Sequence, residues 1–325
     1  MCRLHQKVEQ MWWSGDRPSL LLRTASHVYK LINSHNLNSR KNRSISPSLP
    51  MISVGNITVG GSGKTPFVIW LATLLKNEGF QPVILCRGDG GKGGSPELLS
   101  ENSAPQKVGD EAVLLYQKSG CPVISGQDRI LAAKIAQDYG NIILLDDGFQ
   151  YLQLKRACDI VLIPAEGVGN GHLIPAGPLR ESTEALKRAD FIIRTGQADQ
   201  SEPFSQGKEW RWWSDDSQLD QIAGHPHEKP SRAVSFTAIA RPDRFLQSLE
   251  KLGVDIVESY TFPDHHLFST DDIQKSIRHD EAVVVTAKDA VKLQNIWPSD
   301  RPLWVLTQKP LAETGLFEAI KNFIH

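Results

Sequence analysis

Met51-Ile52-Ser53-Val54-Gly55-Asn56-Ile57-Thr58-Val59-Gly60-Gly61-Ser62-Gly63-Lys64-Thr65-Pro66 is the stretch on which the reading of this chain turns. It begins with a short apolar run of the kind a strand buried on both faces shows, and it leads directly into a glycine-rich turn. Residues 66–77 then read as a helix. A strand, a loop ending in Gly-Lys-Thr and a helix, in that order, form a phosphate-binding loop, with backbone N–H groups and the helix N-terminus around the phosphate oxygens. Thr58, Val59, Gly60, Gly61, Ser62, Gly63, Lys64 and Thr65 are therefore the candidate residues for the phosphates of a nucleotide such as ATP. In such a loop the lysine reaches the β- and γ-phosphates and the hydroxyl residue ligates Mg2+. Thr58 stands where the full motif has glycine, and the Gly60-Gly61 pair supplies flexibility nearer the phosphates. The competing reading is a glycine-rich turn with an incidental lysine.

Working outward, residues 83–85, 123–124, 142–145, 160–163 and 191–193 are further short apolar runs, with helical segments between most of them. Unbroken apolar strands separated by helices point to a parallel sheet covered on both faces. A polar stretch, 195–208, breaks the rhythm, and Trp210-Arg211-Trp212-Trp213 and a Gly/Pro/His-containing loop to Pro230 follow it. Beyond that loop, 234–239, 257–262, 282–286 and 303–307 read as strands of a second, smaller unit. The expected fold is α/β: a P-loop NTPase-like parallel sheet with helices on both faces, plus a smaller C-terminal α/β domain. The expected division is a helical segment at 1–50, a P-loop core at 51–205 and the smaller domain at 206–325.

The chain has 325 residues, 40 % of them hydrophobic and 22 % charged, which is a globular composition. Its net charge of −1 supplies no global attraction to nucleic acid. Cys2, Cys86, Cys121 and Cys158 show no CxxC spacing, which argues against a zinc site or a disulfide framework. No apolar run approaches the roughly 20 residues that span a bilayer. Nothing calls for an obligate protein partner. In residues 1–50, Leu20, Leu21, Ala25, Val28, Tyr29 and Ile32 recur at helical spacing after Trp12 and Trp13, and Arg40, Lys41 and Arg43 follow. Two readings compete: a helix that packs its stripe on the domain, or an interfacial helix with tryptophans at headgroup depth and basic residues meeting anionic lipid.

Other residues carry chemistry. Asp146-Asp147 ends the run at 142–145, where a Walker B acid belongs beside a phosphate-loop strand. Asp110-Glu111 opens a helix, where acids complement the helix dipole, and an acid there is also placed to serve as a base. Asp264-His265-His266 hints at metal, with a base or orienting role preferred. The glycine- and proline-rich loop 167–181 is of the irregular kind that is usually functional or disordered. Within it Asn170, Arg180 and Glu181 are candidate substrate contacts, and Arg180 offers a planar fork to phosphate.

At this point the chain resembles the tetraacyldisaccharide 4′-kinase family of the lipid A pathway of Gram-negative bacteria. The resemblance rests on the quoted stretch from Val54 to Pro66, on Gly109-Asp110-Glu111, Asp146-Asp147-Gly148-Phe149-Gln150, residues 173–181, Arg188-Ala189-Asp190, residues 262–265 and Lys288-Asp289-Ala290-Val291-Lys292. It implies ATP- and Mg2+-dependent phosphorylation of the 4′-hydroxyl of a tetraacylated glucosamine disaccharide 1-phosphate. It implies a peripheral protein on the cytoplasmic face of the bacterial inner membrane. It further implies that Asp110 and His265 act together as the base, with Lys64 as a catalytic cation, and that Thr65, Asp146 and Glu111 lie near the magnesium ion. Three positions depart from the family pattern: Asp89, Tyr151 and Ala287 stand where Tyr, His and Glu are usual. A GTPase or metallochaperone-type switch is the rival reading, but the [NT]KxD spacing of a guanine reader is absent at Lys288-Asp289. A non-enzymatic binding protein is the second rival. Loss of function by drift would also have touched Lys64, Thr65, Asp110 and Asp146.

Overall fold

The computed structural model describes residues 8, 10–14, 17–89, 94–196, 209–239, 242–264, 266–276, 281–293 and 296–324. The expected domain boundary at 205/206 and the candidate base His265 lie outside the described residues. A first helix, α1 (Leu20–Asn42), is capped by Ser19, whose side chain accepts from Leu22 N at 3.4 Å. The apolar stretches then form strands β1 (Met51–Asn56), β2 (Pro82–Cys86), β4 (Val123–Ser125), β5 (Ile142–Asp146), β6 (Cys158–Ile163) and β7 (Phe191–Thr195), with a two-residue β3 (Glu97–Leu98) at the edge. Between them run α2 (Lys64–Asn77), α3 (Pro105–Val108), α4 (Asp110–Ser119) and α5 (Arg129–Ala136). Every residue of β1 is buried, as a strand covered on both faces requires. One face of the sheet packs Ile52, Val54, Ile84 and Leu144 against Phe67, Leu71 and Leu75 of α2, and the other packs Met51, Leu85 and Leu145 against Ala132 and Ala136 of α5. Burying side chains of this size contributes about 1.5–3 kcal/mol each.

The second half supplies β8 (Glu209–Ala223), β9 (Arg232–Thr237), α6 (Pro242–Lys251), β10 (Asp255–Thr261), α7 (Thr270–Ser276), β11 (Ala282–Thr286), α8 (Ala287–Leu293), β12 (Leu303–Ala312) and α9 (Leu316–Ile324). Together the described strands form one sheet in the order β10-β9-β11-β12-β8-β7-β6-β1-β5-β2-β4-β3. The phosphate-loop strand β1 sits between β5 and β6 and is parallel to both.

β8 is a departure from the sequence reading, which has a loop running to Pro230. Trp212 is buried and meets Phe67 edge-on at 5.6 Å, while Gln218, Asp220 and Gln221 occupy positions that read as loop. Pairing on both sides explains the strand: β8 is parallel to β7 at its start and antiparallel to β12 along the rest of its length. This arrangement reverses the second set of strands relative to the first. Thr195 of β7 and Ala312 of β12 both pair with Trp212, whereas Leu306, opposite Thr286 of β11, pairs with Leu219. The C-terminal ends of the two sets of strands therefore face each other along β8. Ligands of open α/β sheets bind outside such ends.

Candidate active site

The phosphate loop is built into its surroundings. Gly63 takes the N-cap position of α2 at φ 79°, and no side chain caps the helix, so its first N–H groups are left for a ligand. Val59 N donates to Pro178 O at 2.8 Å and Arg180 N donates to Ile57 O at 2.7 Å, so segment 173–181 walls the loop. That segment is clamped in turn. Asn170 Nδ2 donates to Ala176 O at 2.9 Å, and Glu181 is buried between Arg188, at 2.9 and 3.1 Å, and Gln150, at 3.1 Å. Arg188 also lies over the Phe149 ring at 4.5 Å. Asn170 and Glu181 thus hold the loop, and Gln150 and Arg188 join them without any signal in their sequence spacing.

Asp146 and Asp147 close the phosphate side. Asp147 adopts a left-handed φ of 51°, which aspartate tolerates better than most residues. Its carboxylate lies 3.4 Å from Lys64 Nζ and 3.0 Å from Arg180 Nη1. Burial works to raise the Asp147 carboxyl, but Lys64 and Arg180 outweigh it and hold the group well below the usual carboxylate range. Arg180, expected as a fork for phosphate, is thus paired with Asp147. Asp146 is 4 % exposed and accepts from Asp147 N at 2.9 Å, while Arg129 donates to its carbonyl at 3.0 Å. Burial, with the nearby Glu111 carboxylate, pushes Asp146 up to about 7 against the pull of Lys64 and Arg129.

The opposite side comes from α4 and α8. Gly109 precedes Asp110 at φ 92°, and a side chain there would meet Asp89 O at 2.7 Å, so only glycine fits the turn that presents Asp110. Asp110 is 6 % exposed. Lys288, near the start of α8, places Nζ 3.1 Å from Asp264, 3.3 Å from Glu111 and 3.8 Å from Asp110. Burial works to lower the Lys288 pKa, but the three carboxylates raise it above its ordinary value. Lys292, one turn on, is held by Asp289 at 2.8 Å and lies 3.9 Å from Asp110. The fully buried Asp289 accepts from Thr237 Oγ1 and Thr286 Oγ1, each at 2.7 Å. Lys288, Lys292 and Asp289 have no role in the sequence reading beyond marking a family stretch. Lys292 and Asp289 pair at a spacing of three, but the carboxylates around Lys288 are too distant in the chain for spacing to show. The metal hint of residues 264–266 is not taken up by His266, which pairs with Asp272 at 3.1 Å and stacks on Phe262 at 4.7 Å. Of the three departures, Asp89 pairs with Arg87 at 3.3 Å, the Tyr151 ring faces the Arg129 guanidinium at 5.8 Å, and Ala287 packs beside the core.

Among the described residues, no group of three or more His, Cys, Asp or Glu side chains is arranged to hold a metal unaided. Mg2+ does not need one, because one or two carboxylates with substrate phosphates suffice. Thr65, Asp146 and Glu111 are hard oxygen donors, and the Glu111 carboxylate is close enough to Asp146 to raise the cost of ionising it. The residues fit the ion.

Residues 18–325 match the profile of a family described as Tetraacyldisaccharide-1-P 4′-kinase. The chain belongs to that family. A tetraacyldisaccharide 4′-kinase of Methylobacillus flagellatus is 39 % identical over 303 residues, covering 88 % of this chain and 86 % of its own length. One from Idiomarina loihiensis is 38 % identical over 257 residues, covering 78 % of this chain and 76 % of the relative. Among solved structures, "apo" form LpxK from Aquifex aeolicus, in complex with ATP, superposes with a TM-score of 0.78 at 27 % identity, covering 93 % of this chain and 98 % of that one. Membership in the tetraacyldisaccharide 4′-kinase family makes this chain a transferase, and the α/β architecture is the one expected from its sequence.

Proposed function

We propose that this chain moves the γ-phosphoryl group of ATP to the 4′-hydroxyl of a tetraacylated glucosamine disaccharide 1-phosphate, giving the bis-phosphorylated lipid A precursor. The observation that carries the reading is the juxtaposition of an uncapped helix behind Lys64 and Thr65 with a cluster of acids led by Asp110, in a chain of this family. Lys64 neutralises charge on the transferring group, and the N–H groups of residues 58–65 cradle the phosphates. Thr65, Asp146 and Glu111 would hold Mg2+, which when bound would supply positive charge to offset that of the phosphates. Asp110, acting with His265, takes the proton of the attacking hydroxyl. Asn170, Arg180 and Glu181 shape the acceptor side, with Arg180 shared between Asp147 and the substrate.

The site of action is the cytoplasmic face of the inner membrane. Among the described residues no helix is long and apolar enough to cross a bilayer. α1 docks on segment 173–181 through its polar side: Ser26 donates to Leu173 O at 2.7 Å, and Tyr29 and Asn33 donate to Arg180 O at 3.0 Å. Its apolar side is turned outward, with Leu20, Leu21, Val28, Leu31 and Ile32 between 52 % and 80 % exposed. Outward leucines beside exposed Arg23, Lys30 and Lys41 suit an interface with anionic lipid. Trp12 is partly buried and donates to Pro175 O at 3.0 Å, so Leu20, Leu21 and Leu31 are the better residues to change. Incubation of tetraacyldisaccharide 1-phosphate with protein, ATP and Mg2+, followed by mass spectrometry, is expected to show one added phosphate. An unchanged lipid under conditions where ATP binds would defeat the reading. Replacing Leu20, Leu21 and Leu31 by serine is expected to release the protein from anionic vesicles with ATP binding intact, and retained vesicle binding would return α1 to a purely structural role.

A further inference from the structure

Lys288 carries no role in the reaction as read so far, yet three carboxylates converge on its ammonium. Asp110 and Glu111 come from the N-terminus of α4, among the first set of strands, and Asp264 comes from the loop after β10, among the second. Three like charges at such a junction repel one another unless a cation lies between them. Lys288 is that cation, and its side chain is 15 % exposed, so water screens it little.

The lysine is also presented rigidly. α8 follows β11 directly, and its first turn is pinned by Asp289, which accepts from Ala238 N as well as from Thr237 and Thr286. Lys292, four residues on, lies on the same helix face and is tied to Asp289 inside the core. The two lysines divide the work: Lys292 neutralises the buried Asp289, and Lys288 reaches the acids that line the crevice.

We propose that Lys288 is a positioning residue for phosphotransfer, drawing Asp110, Glu111 and Asp264 to one point and thereby setting the place of the Asp110 carboxylate relative to the phosphate loop. This rests on the reading of Asp110 as part of the base. Misplacing a reacting group by about an ångström costs on the order of 100-fold in rate, which sets the size of effect to look for.

The test uses the full chain with ATP, Mg2+ and the lipid acceptor. Lys288→Met is expected to lower kcat about 100-fold, with the Kd for ATP and the KM for lipid little changed. Lys288→Arg, which keeps the charge, is expected to recover to within about 5-fold of wild type. In an Asp110→Asn background, Lys288→Met is expected to add less than about 3-fold, because both changes remove the same placed carboxylate. A Lys288→Met enzyme with wild-type kcat, or one whose loss multiplies in full with that of Asp110→Asn, overturns the role. If Lys288→Met does not fold, as judged by thermal melting, Asp264→Asn takes its place, with a smaller loss of kcat expected and unchanged turnover overturning the convergence. An Asp110→Asn enzyme with full activity removes Asp110 from the base, and the role of Lys288 falls with it. A defective Asp110→Asn beside an unaffected Lys288→Met overturns Lys288 alone.

Discussion

The site has two charged clusters, and they are built by opposite means. At the phosphate end, Asp147 lies between Lys64 and Arg180, with contacts of 3.4 and 3.0 Å, and every participant belongs to the first set of strands or its loops. At the other end one lysine gathers acids from both sets, and Lys288 and Glu111 are 177 positions apart in the chain. At the first cluster two cations bear on the Asp147 carboxylate, beside the buried Asp146, an arrangement that suits phosphate. The second is three carboxylates around Lys288, with Lys292 behind, a surplus of negative charge that suits a proton acceptor. On the proposed function, the contrast between the two clusters would serve anion binding at one and deprotonation of an alcohol at the other.

The largest effect expected from breaking this arrangement is at Lys64. Truncation by Lys64→Ala leaves Arg180 as the contacting cation of Asp147 and, on the proposed function, removes the cation that faces the transferring group. Turnover is expected to fall 100-fold or more, roughly the 3–4 kcal/mol that a donor in an oxyanion hole supplies. Steady-state kinetics with purified protein measure this, and near wild-type kcat would show that the phosphate end is not where phosphate sits.

The same contrast explains what could be read from sequence. The phosphate end is legible because strand, loop and helix are contiguous and the second acid pair ends another apolar run. Both features survive as spacing. The parallel sheet is legible for the same reason, since β1, β5 and β6 are uninterrupted apolar segments. β8 is not, because a strand that joins two sets of strands carries polar residues where the periodicity should show. Tyr29 reads as part of the apolar stripe of α1, but its hydroxyl turns it to the docking side, where it donates to Arg180 O. The Lys288 junction is invisible to any spacing rule: its parts lie near residues 110, 264 and 288, and only the reversal of strands along β8 brings them together.

A second break tests stability instead of rate. Asp289 is fully buried, accepts from Thr237, Ala238 N and Thr286, and lies 2.8 Å from the ammonium of Lys292, which is itself 2 % exposed at its side chain. Asp289→Ala leaves the buried Lys292 ammonium with only Asp110, at 3.9 Å, and is expected to destabilise the protein by about 3–5 kcal/mol. Asp147, with a side chain 23 % exposed and both partners reaching solvent, is expected to lose far less on the corresponding change. Denaturant midpoints of the two variants compare the ends directly. Equal losses would mean that the buried network is no more structural than the phosphate-side pair.

The smallest effect is expected where the two sets of elements meet in the open. Arg244 of α6 pairs with Glu166 of the loop after β6, Nε donating to Oε1 at 3.0 Å, so this contact spans the same divide as Lys288. It differs in exposure: the two side chains are 43 % and 40 % exposed, against 15 % for Lys288. An ion pair in that setting is screened by salt and contributes about 0–1 kcal/mol. Neither residue touches Asp110, Lys64 or the loop between residues 58 and 65 in the contacts described. Arg244→Ala is therefore expected to change kcat by less than about 2-fold, with any effect shrinking further as salt is raised. The measurement is kcat for wild type and variant at low and high ionic strength. A 10-fold loss at both would mean that holding the two sets of strands together is what matters, wherever the bridge lies. Burial at Lys288 would then no longer separate a contact that positions a reacting group from one that merely joins two surfaces.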